Sequence, residues 1–391
     1  MLNVVMLGLV SFFADISAEM VYPLIPLYLS GAFGATPALV GIIEGVAEST
    51  ASLLKVFSGY LTDKYQKKKP IAFLGYAAGL AYKAALLVAS SWGGVLLARV
   101  VDRLGKGIRT TPRDVMVSES AREGGLGKAF GLHKALDMLG SALGILLAWL
   151  LVKNAAAGQA DYHKVFLYSL IPALLSLFMF LFIREKRGAR PLARRERFWK
   201  NYSKLPGPLK LYLLIAFLFT LGNSSNAFLL LRAKSVGYDD VSVILLYFAY
   251  NLTASLLALP FGRLSDLLGR KRLLIAGYLV FGLVYLGFGF TRSRPAMLFF
   301  FILYGFYTAM TAGVERALIA EISPPELKGT LLGLHSTVVG VALLPASALF
   351  GLLWTRQGPQ TAFSFGAALA LLSAALLLFF FRPVPQNRKP A

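Results

Sequence analysis

The chain has 391 residues, of which 57% are hydrophobic and only 15% are charged. Soluble globular proteins contain about 25% charged residues, so this composition excludes a set of soluble domains and indicates lipid as the solvent. Lysine and arginine number 40 against 19 acidic residues, and cysteine is absent, which excludes disulfides and thiolate chemistry. A basic excess in a soluble protein would suggest nucleic acid. Here its placement follows membrane topology, and we expect no nucleic acid partner.

Apolar stretches long enough to cross a bilayer occur twelve times along the chain. A hydrocarbon core about 30 Å thick requires roughly 20 mostly apolar residues in one helix. We therefore predict an all-α membrane protein with twelve transmembrane helices, numbered here as spans 1 to 12. The predicted spans cover residues 3–30, 37–61, 70–90, 92–117, 127–152, 163–183, 208–233, 238–261, 272–290, 295–319, 328–354 and 359–381.

The distribution of basic residues between the spans predicts the orientation. Loops on the side of the amino terminus hold 24 lysine and arginine residues, and loops on the opposite side hold seven. The positive-inside rule then places both termini in the cytoplasm. We expect an integral protein of the cytoplasmic (inner) membrane, in which the basic linker between spans 6 and 7 contacts anionic lipid head groups.

The two halves of the chain repeat each other at an offset of 202 residues. Glu119 recurs as Glu321, and Gly131-Leu-His133 recurs as Gly333-Leu-His335. Parallel repeats of this kind suit alternating access around a site near the middle of the membrane. We expect an amino-terminal six-helix bundle over residues 1–184, a cytoplasmic basic linker over 185–208 and a carboxy-terminal six-helix bundle over 209–391.

Two loops carry a recognisable signature. The stretches Gly59-Tyr-Leu-Thr-Asp63-Lys-Tyr-Gln-Lys67 and Gly262-Arg-Leu-Ser-Asp266-Leu-Leu-Gly269-Arg270 resemble the loop 2–3 and loop 8–9 signatures of the major facilitator superfamily. The first copy has glutamine at position 66, where the family usually has glycine. The resemblance covers essentially the whole chain. It implies two pseudo-symmetric six-helix bundles and a secondary transporter that works by rocker-switch alternating access.

The same signatures predict a cytoplasmic gate. A carboxylate at a helix end can accept hydrogen bonds from free backbone amides at the start of a neighbouring helix. Such a contact would break when the halves move, although a static clamp of the loop is the alternative. The predicted gate residues are Gly59, Asp63, Lys67, Arg113, Gly262, Asp266, Arg270 and Arg316.

Span 4 is unusually rich in charge for a membrane helix. A charged side chain at the bilayer centre costs about 2.5–3.5 kcal/mol, so these groups should face protein or water. With a rise of about 1.5 Å per residue, Arg99 and Glu44 each lie about 10 Å from the outer end of their spans, and Arg103 and Glu48 about 16 Å. The sequence therefore predicts a ladder of acidic and basic groups that links spans 2 and 4 and extends to span 1.

Carboxylates within this ladder are the candidates for proton coupling. Asp15 and Glu19, like Glu44 and Glu48, are spaced i,i+4 and share a helix face, where two carboxylates repel each other and one should hold its proton more tightly. The alternative is that the charges only hold the first bundle together. The predicted proton-coupling residues are Asp15, Glu19, Glu44, Glu48, Asp102 and Asp137.

The second-half residues that correspond to the charged positions of the first half are neutral, so we expect the two halves to have different functions. The first half would hold proton or ion chemistry, and polar and aromatic groups of the second would bind the body of the substrate. Basic groups of span 4 would tune the carboxylates or bind an anionic group. The predicted substrate-cavity residues are Arg99, Arg103, Lys106, Tyr22, Asn223, Asn226, Tyr250 and Asn251.

Two further stretches resemble motifs of drug–proton antiporters. Arg99-Val-Val-Asp-Arg-Leu-Gly105 resembles the motif whose arginine is implicated in proton transfer, and Gly140-xxx-Gly144 resembles the exporter signature, although Ile145 replaces its proline. The resemblance implies proton-coupled efflux of a small organic solute, drug-like or amphiphilic. Proton-coupled uptake of an anionic metabolite and an uncoupled facilitator are the alternatives.

Nothing in the sequence indicates an enzyme. Histidine and carboxylate residues do not occur at the spacing of metal ligands, and no glycine-rich phosphate loop follows a strand. We expect no cofactor and no metal. The expected partners are the lipid bilayer, a small-molecule substrate and protons, with the protein acting as a monomer.

Overall fold

The computed structural model describes residues 2–65, 68–120, 126–153, 161–185, 207–322 and 328–381. Within these ranges the chain is all-helical, and all twelve predicted spans are helices. Eleven helical stretches of the described residues are long and apolar enough to cross a membrane. Span 4 is the helix that falls outside this group, because it carries eight ionisable side chains. The predicted fold class is confirmed.

Three spans are interrupted within the described ranges, and the other nine are continuous helices there. Proline lacks the backbone N–H that an interior helix position requires, and span 1 is interrupted at Pro23 and Pro26. Span 1 consists of Leu2–Val21, a 3-10 turn at Tyr22–Leu24 and Ile25–Phe33; span 7 of Gly207–Gly222 and Ala227–Ser235; and span 10 of Arg294–Thr311 and Val314–Ile322. The continuous spans are Pro37–Tyr65, Lys68–Val88, Trp92–Ser120, Leu126–Val152, Tyr162–Leu181, Asp240–Leu268, Arg270–Phe290, Lys328–Gln357 and Pro359–Phe379.

The described residues form two compact units. Unit 1 contains those within Met1–Leu192 and Asn226–Phe248, and unit 2 contains those within Ala193–Ser225 and Ala249–Ala391. Unit 1 therefore holds spans 1 to 6 together with the second segment of span 7 and the first turns of span 8. The division into bundles at 1–184, 185–208 and 209–391 stays a prediction, and most of the basic linker lies outside the described residues.

Spans 1 and 5 of unit 1 pack closely because two glycines of span 5 face the backbone of span 1. A Cβ atom at Gly144 would lie 2.5 Å from the carbonyl oxygen of Ile16, and one at Gly140 would meet the carbonyl oxygen of Phe12. A contact this short with main chain cannot be relieved by turning a side chain. The Gly140-xxx-Gly144 pair is therefore a helix-packing motif.

We expect Gly144→Ala to destabilise the protein by about 1–3 kcal/mol, because the added methyl group forces the two helices apart. The measurement is the temperature at which purified protein in detergent unfolds. Gly333→Ala is the matched control, since a Cβ atom at Gly333 meets nothing within 4 Å. Alanine also has a higher helix propensity than glycine, so this control should be no less stable than the unaltered protein. An unchanged unfolding temperature for Gly144→Ala would contradict the packing described here.

Candidate functional site

A polar cavity of about 190 Å³ lies inside unit 1. Its walls come from spans 1 to 4 and from the first turns of span 8. They include both signs of charge and three aromatic hydroxyl groups. The lining residues are Asp15, Ala18, Glu19, Tyr22, Glu48, Tyr82, Arg99, Asp102, Arg103, Lys106, Arg109 and Tyr247. The structure thus brings together, around one cavity, much of the charge that the sequence places at membrane depth.

Two ion pairs connect spans 2 and 4 at this cavity. The Nη2 atom of Arg99 lies 2.7 Å from both carboxylate oxygens of Glu44, and its Nε atom lies 3.0 Å from Oε1. Both side chains are almost fully buried, at 2% and 1% exposure. One turn further along, Nη2 of Arg103 lies 2.8 Å from Oε1 of Glu48. These are the partners that matching depths in the two spans predict.

Asp102 lies between the two arginines. Its Oδ2 atom is 3.9 Å from Nη1 of Arg99 and 3.8 Å from Nη1 of Arg103. Three of the six predicted proton-coupling carboxylates, those of Glu44, Glu48 and Asp102, therefore have arginine partners. Paired charges of this kind satisfy each other in a region where an isolated charge would be costly.

Asp15 of span 1 instead meets another acid. Its carboxyl group is in hydrogen-bond contact with that of Asp137 in span 5. Two ionised carboxylates have no hydrogen to share and repel each other, so two acids in such a contact are stable together only when one of them carries a proton. Asp137 also accepts a hydrogen bond of 2.8 Å from the ammonium group of Lys134, the i,i+3 neighbour on its own helix. Asp15 lines the cavity, so one member of this pair of acids lies at the cavity wall.

Glu19 and Tyr22 connect span 1 with the first turns of span 8. The hydroxyl group of Tyr247 donates a hydrogen bond of 3.3 Å to Oε2 of Glu19. The rings of Tyr22 and Tyr247 are 5.7 Å apart. The guanidinium groups of Arg99 and Arg103 lie 5.4 and 5.9 Å from the centre of the Tyr22 ring, within the range of cation–π attraction. Tyr22 therefore packs between the ion pairs and span 8.

The predicted substrate residues of the second half have different surroundings. Asn223 and Tyr250 belong to unit 2, where Asn223 donates a hydrogen bond of 2.8 Å to the hydroxyl of Tyr307. The ring of Tyr250 lies 5.0 Å from that of Tyr304. Asn251 follows Tyr250 on span 8, and Asn226 precedes the helix Ala227–Ser235 in unit 1. Their part in substrate binding stays a prediction.

The predicted gate is described fully only in unit 2. Arg270 donates hydrogen bonds to Glu321 at 2.8 Å, to the carbonyl oxygen of Ala317 at 2.9 Å and to Asp266 at 3.4 Å. Glycine at 269 permits the turn between the two helices, because its φ of 90° lies in the left-handed region. A Cβ atom at Gly262 would meet nothing within 4 Å. The three polar contacts tie the adjoining ends of spans 8, 9 and 10 together.

In unit 1 the corresponding ion pair joins Lys68 and Glu119, which precede Arg270 and Glu321 by 202 residues. The repeat in the sequence is thus accompanied by the same ion pair in each unit. Arg113 pairs with its neighbour Asp114 at 2.9 Å, and Arg316 is solvent-exposed. The side chains of Gly59, Asp63 and Lys67 lie outside the described residues.

Glu315, an acidic residue of unit 2, was not singled out from the sequence. The hydroxyl of Tyr278 donates a hydrogen bond of 3.1 Å to Oε1 of Glu315 in span 10. The ring of Tyr278 stacks on that of Phe219, with centroids 3.9 Å apart. A single acid near the end of a mostly apolar span was the signal available in the sequence.

A helical membrane protein with two repeated halves and a charged cavity has the architecture of a secondary transporter. The family model of the Major Facilitator Superfamily matches residues 7–232 and 212–391. The chain belongs to the Major Facilitator Superfamily, and it is a membrane transporter of that family.

Two relatives illustrate what the chain is similar to. An uncharacterised MFS-type transporter of Methanocaldococcus jannaschii is 37% identical over 383 residues, which cover 96% of this chain and 94% of the relative. A homologue of the multidrug resistance efflux pump PmrA of Lactococcus lactis is 24% identical over 337 residues, which cover 81% of this chain and 79% of the relative.

Solved structures agree on the fold. A mutant form of the nucleoside transporter NupG superposes with a TM-score of 0.84 at 12% identity over 97% of this chain and all of the other. A D-xylose–proton symporter superposes with a TM-score of 0.77 at 16% identity, covering 97% of each chain. At these identities the likeness concerns the fold alone.

Proposed function

We propose that this transporter couples the movement of a small organic solute to protons, by rocker-switch alternating access. The contact between Asp15 and Asp137 carries the proposal, because it requires a proton and lies at the wall of a polar cavity. A proton carrier must bind and release its proton as the site changes its exposure. Two acids that share one proton can do so, since loss of that proton restores their mutual repulsion.

The other predicted carboxylates take different roles in this proposal. Glu44, Glu48 and Asp102 have arginine partners and hold spans 2 and 4 together. Glu19 accepts a hydrogen bond from Tyr247 and lines the cavity, so it is a second proton-binding candidate. The contacts of Arg270 with Asp266 and Glu321 support a gate that opens and closes at the linked ends of spans 8 to 10.

Two directions of transport are candidates. Efflux of a drug-like or amphiphilic solute in exchange for protons is supported by the name of the Lactococcus lactis relative. Proton-coupled uptake of an anionic metabolite is supported by the basic side chains of the cavity. In both cases we place a monomer in the cytoplasmic membrane with both termini in the cytoplasm, as the positive-inside rule favours.

Transport in proteoliposomes tests the proposal. Purified protein is reconstituted with the pH dye pyranine inside, and ethidium or benzenesulfonate is added outside with and without an imposed pH gradient. We expect the gradient to drive accumulation of one of these solutes and the solute to move protons in turn. Solute flux that is indifferent to the gradient, with no change in internal pH, would show an uncoupled facilitator.

A further inference from the structure

Two buried hydrogen-bond donors at the cavity have no partner among the described residues, and two cations beside them form no ion pair there. The hydroxyl of Tyr82 and the Nε atom of Arg103 are buried and have no hydrogen-bond partner in that part of the chain. Lys106 and Arg109 also line the cavity, and neither has a carboxylate within 4.0 Å in the described part of unit 1. Buried donors are ordinarily satisfied, so Tyr82 and Arg103 can each donate to one further acceptor at the cavity.

The ion pairs leave two of the four cavity-lining cations without a carboxylate in direct contact in the described part of unit 1, although Asp15 and Glu19 line the same cavity. Arg99 and Arg103 are matched by Glu44 and Glu48, with Asp102 between them. Lys106 and Arg109 remain, and the guanidinium of Arg109 lies 4.5 Å from the centre of the Tyr76 ring, which supplies no negative charge. A cavity that offers donors and positive charge recognises acceptors and negative charge.

We propose that the cavity binds an organic anion, with Lys106, Arg109, Tyr82 and the free Nε of Arg103 contacting its acidic group. This proposal rests on the proposed transport function and names the class of its solute. The rings of Tyr22, Tyr82 and Tyr247 line the same cavity, so a small planar body fits beside the acidic group. The anion is a carboxylate, sulfonate or phosphate, since all three offer acceptor oxygens to the same donors.

The anion site and the shared proton influence each other through their charges. Asp15 interacts electrostatically with Lys106 and Arg109, which line the cavity with it. Loss of the proton from the Asp15–Asp137 pair adds a negative charge near the bound anion. By linkage, the proton strengthens anion binding and the anion strengthens proton binding by the same factor.

Four other charged or titratable groups near the pair do not line the cavity. They are Lys134 and His133 of span 5, Arg113 of span 4, and Lys83 of span 3. The linkage therefore concerns the anion and the shared proton. Because the anion and the proton strengthen each other's binding, they should cross the membrane in the same direction. This favours co-transport over exchange.

Isothermal titration calorimetry on the purified full chain tests the anion site. Three permanently charged or neutral probes of similar shape are compared: benzenesulfonate, benzenesulfonamide and benzyltrimethylammonium. We expect benzenesulfonate to bind and the other two to bind at least about tenfold more weakly, because the donors and cations have no counterpart in them. Binding should also take up protons, measured as the difference in heat between buffers of unlike ionisation enthalpy.

Matched variants identify the residues involved. Lys106→Ala and Arg109→Ala should each weaken benzenesulfonate binding about tenfold or more, whereas Lys164→Ala, at an exposed lysine of unit 1, should not. Lys106→Arg should restore part of the affinity. The unfolding temperature of each variant without probe shows that it is folded. Failure of benzenesulfonate to bind better than the neutral probe, or undiminished binding by both alanine variants, overturns the anion site.

The anion site and proton-coupled transport can fail independently of each other. If benzenesulfonate binds through Lys106 and Arg109 but the pH gradient drives no flux, the anion site holds and proton-coupled transport fails. If the gradient drives ethidium flux while the anion does not bind, transport holds and the anion site fails. Binding that takes up no protons overturns the linkage between the anion and the Asp15–Asp137 pair.

Discussion

Replacing Arg99 by alanine should destabilise the protein by about 3–5 kcal/mol, because it removes the guanidinium group that balances the charge of the buried Glu44 carboxylate. The side chain of Glu44 is only 1% exposed, so water cannot take the place of the guanidinium. The loss should appear as a lower unfolding temperature and as reduced recovery of folded protein in detergent. The nearby pair of Arg103 and Glu48 is a weaker test, since Glu48 is 32% exposed.

The double variant Arg99→Met with Glu44→Leu separates the two sources of this effect. If the loss arises from an uncompensated buried charge, removing both charges should restore much of the stability. Arg99→Met and Glu44→Leu alone should each be less stable than the double variant. If the double variant instead loses as much stability as the two single variants together, Arg99 stabilises the protein by packing and not by pairing.

Asp15→Asn and Asp137→Asn should each reduce gradient-driven solute accumulation by at least about tenfold. An asparagine amide can donate a hydrogen bond to the remaining carboxylate, so it preserves the contact while removing the exchangeable proton. Exchange of labelled for unlabelled solute, which needs no net proton movement, should persist. The measurement is flux in proteoliposomes, with and without an imposed pH gradient.

Asp161→Asn is the matched control for this substitution. Asp161 accepts a hydrogen bond of 3.0 Å from the backbone N–H of Lys164 at the start of span 6, and asparagine caps a helix equally well. Its flux should equal that of the unaltered protein. Gradient-driven accumulation that survives in both Asp15→Asn and Asp137→Asn would remove this pair from the mechanism.

The contacts of span 4 could be predicted because helix geometry converts sequence position into depth. Arg99 and Glu44 lie equally far from the amino-terminal ends of their spans, as do Arg103 and Glu48, and both pairs form. The break at Pro23 and Pro26 followed from local chemistry in the same way. These features depend on one helix, or on the depth of two.

The Asp15–Asp137 contact could not be predicted, since it depends on which helix faces which. Along the sequence, Asp15 is associated with Glu19, and Asp137 with Lys134. A signal was present, because Asp137, Gly140 and Gly144 share one helix face. Only the structure shows that this face packs against span 1. Glu315 escaped notice for a similar reason, since Tyr278, which donates to it, lies on another span.

Infrared spectroscopy of the purified protein at neutral pH tests most directly whether Asp15 and Asp137 hold a proton between them. A protonated carboxyl group absorbs infrared light at a different wavenumber from an ionised carboxylate. We expect a protonated-carboxyl band that disappears in Asp15→Asn and in Asp137→Asn and persists in Asp161→Asn. A spectrum in which the two aspartate variants keep the band of the unaltered protein, or in which that protein has none, would contradict it.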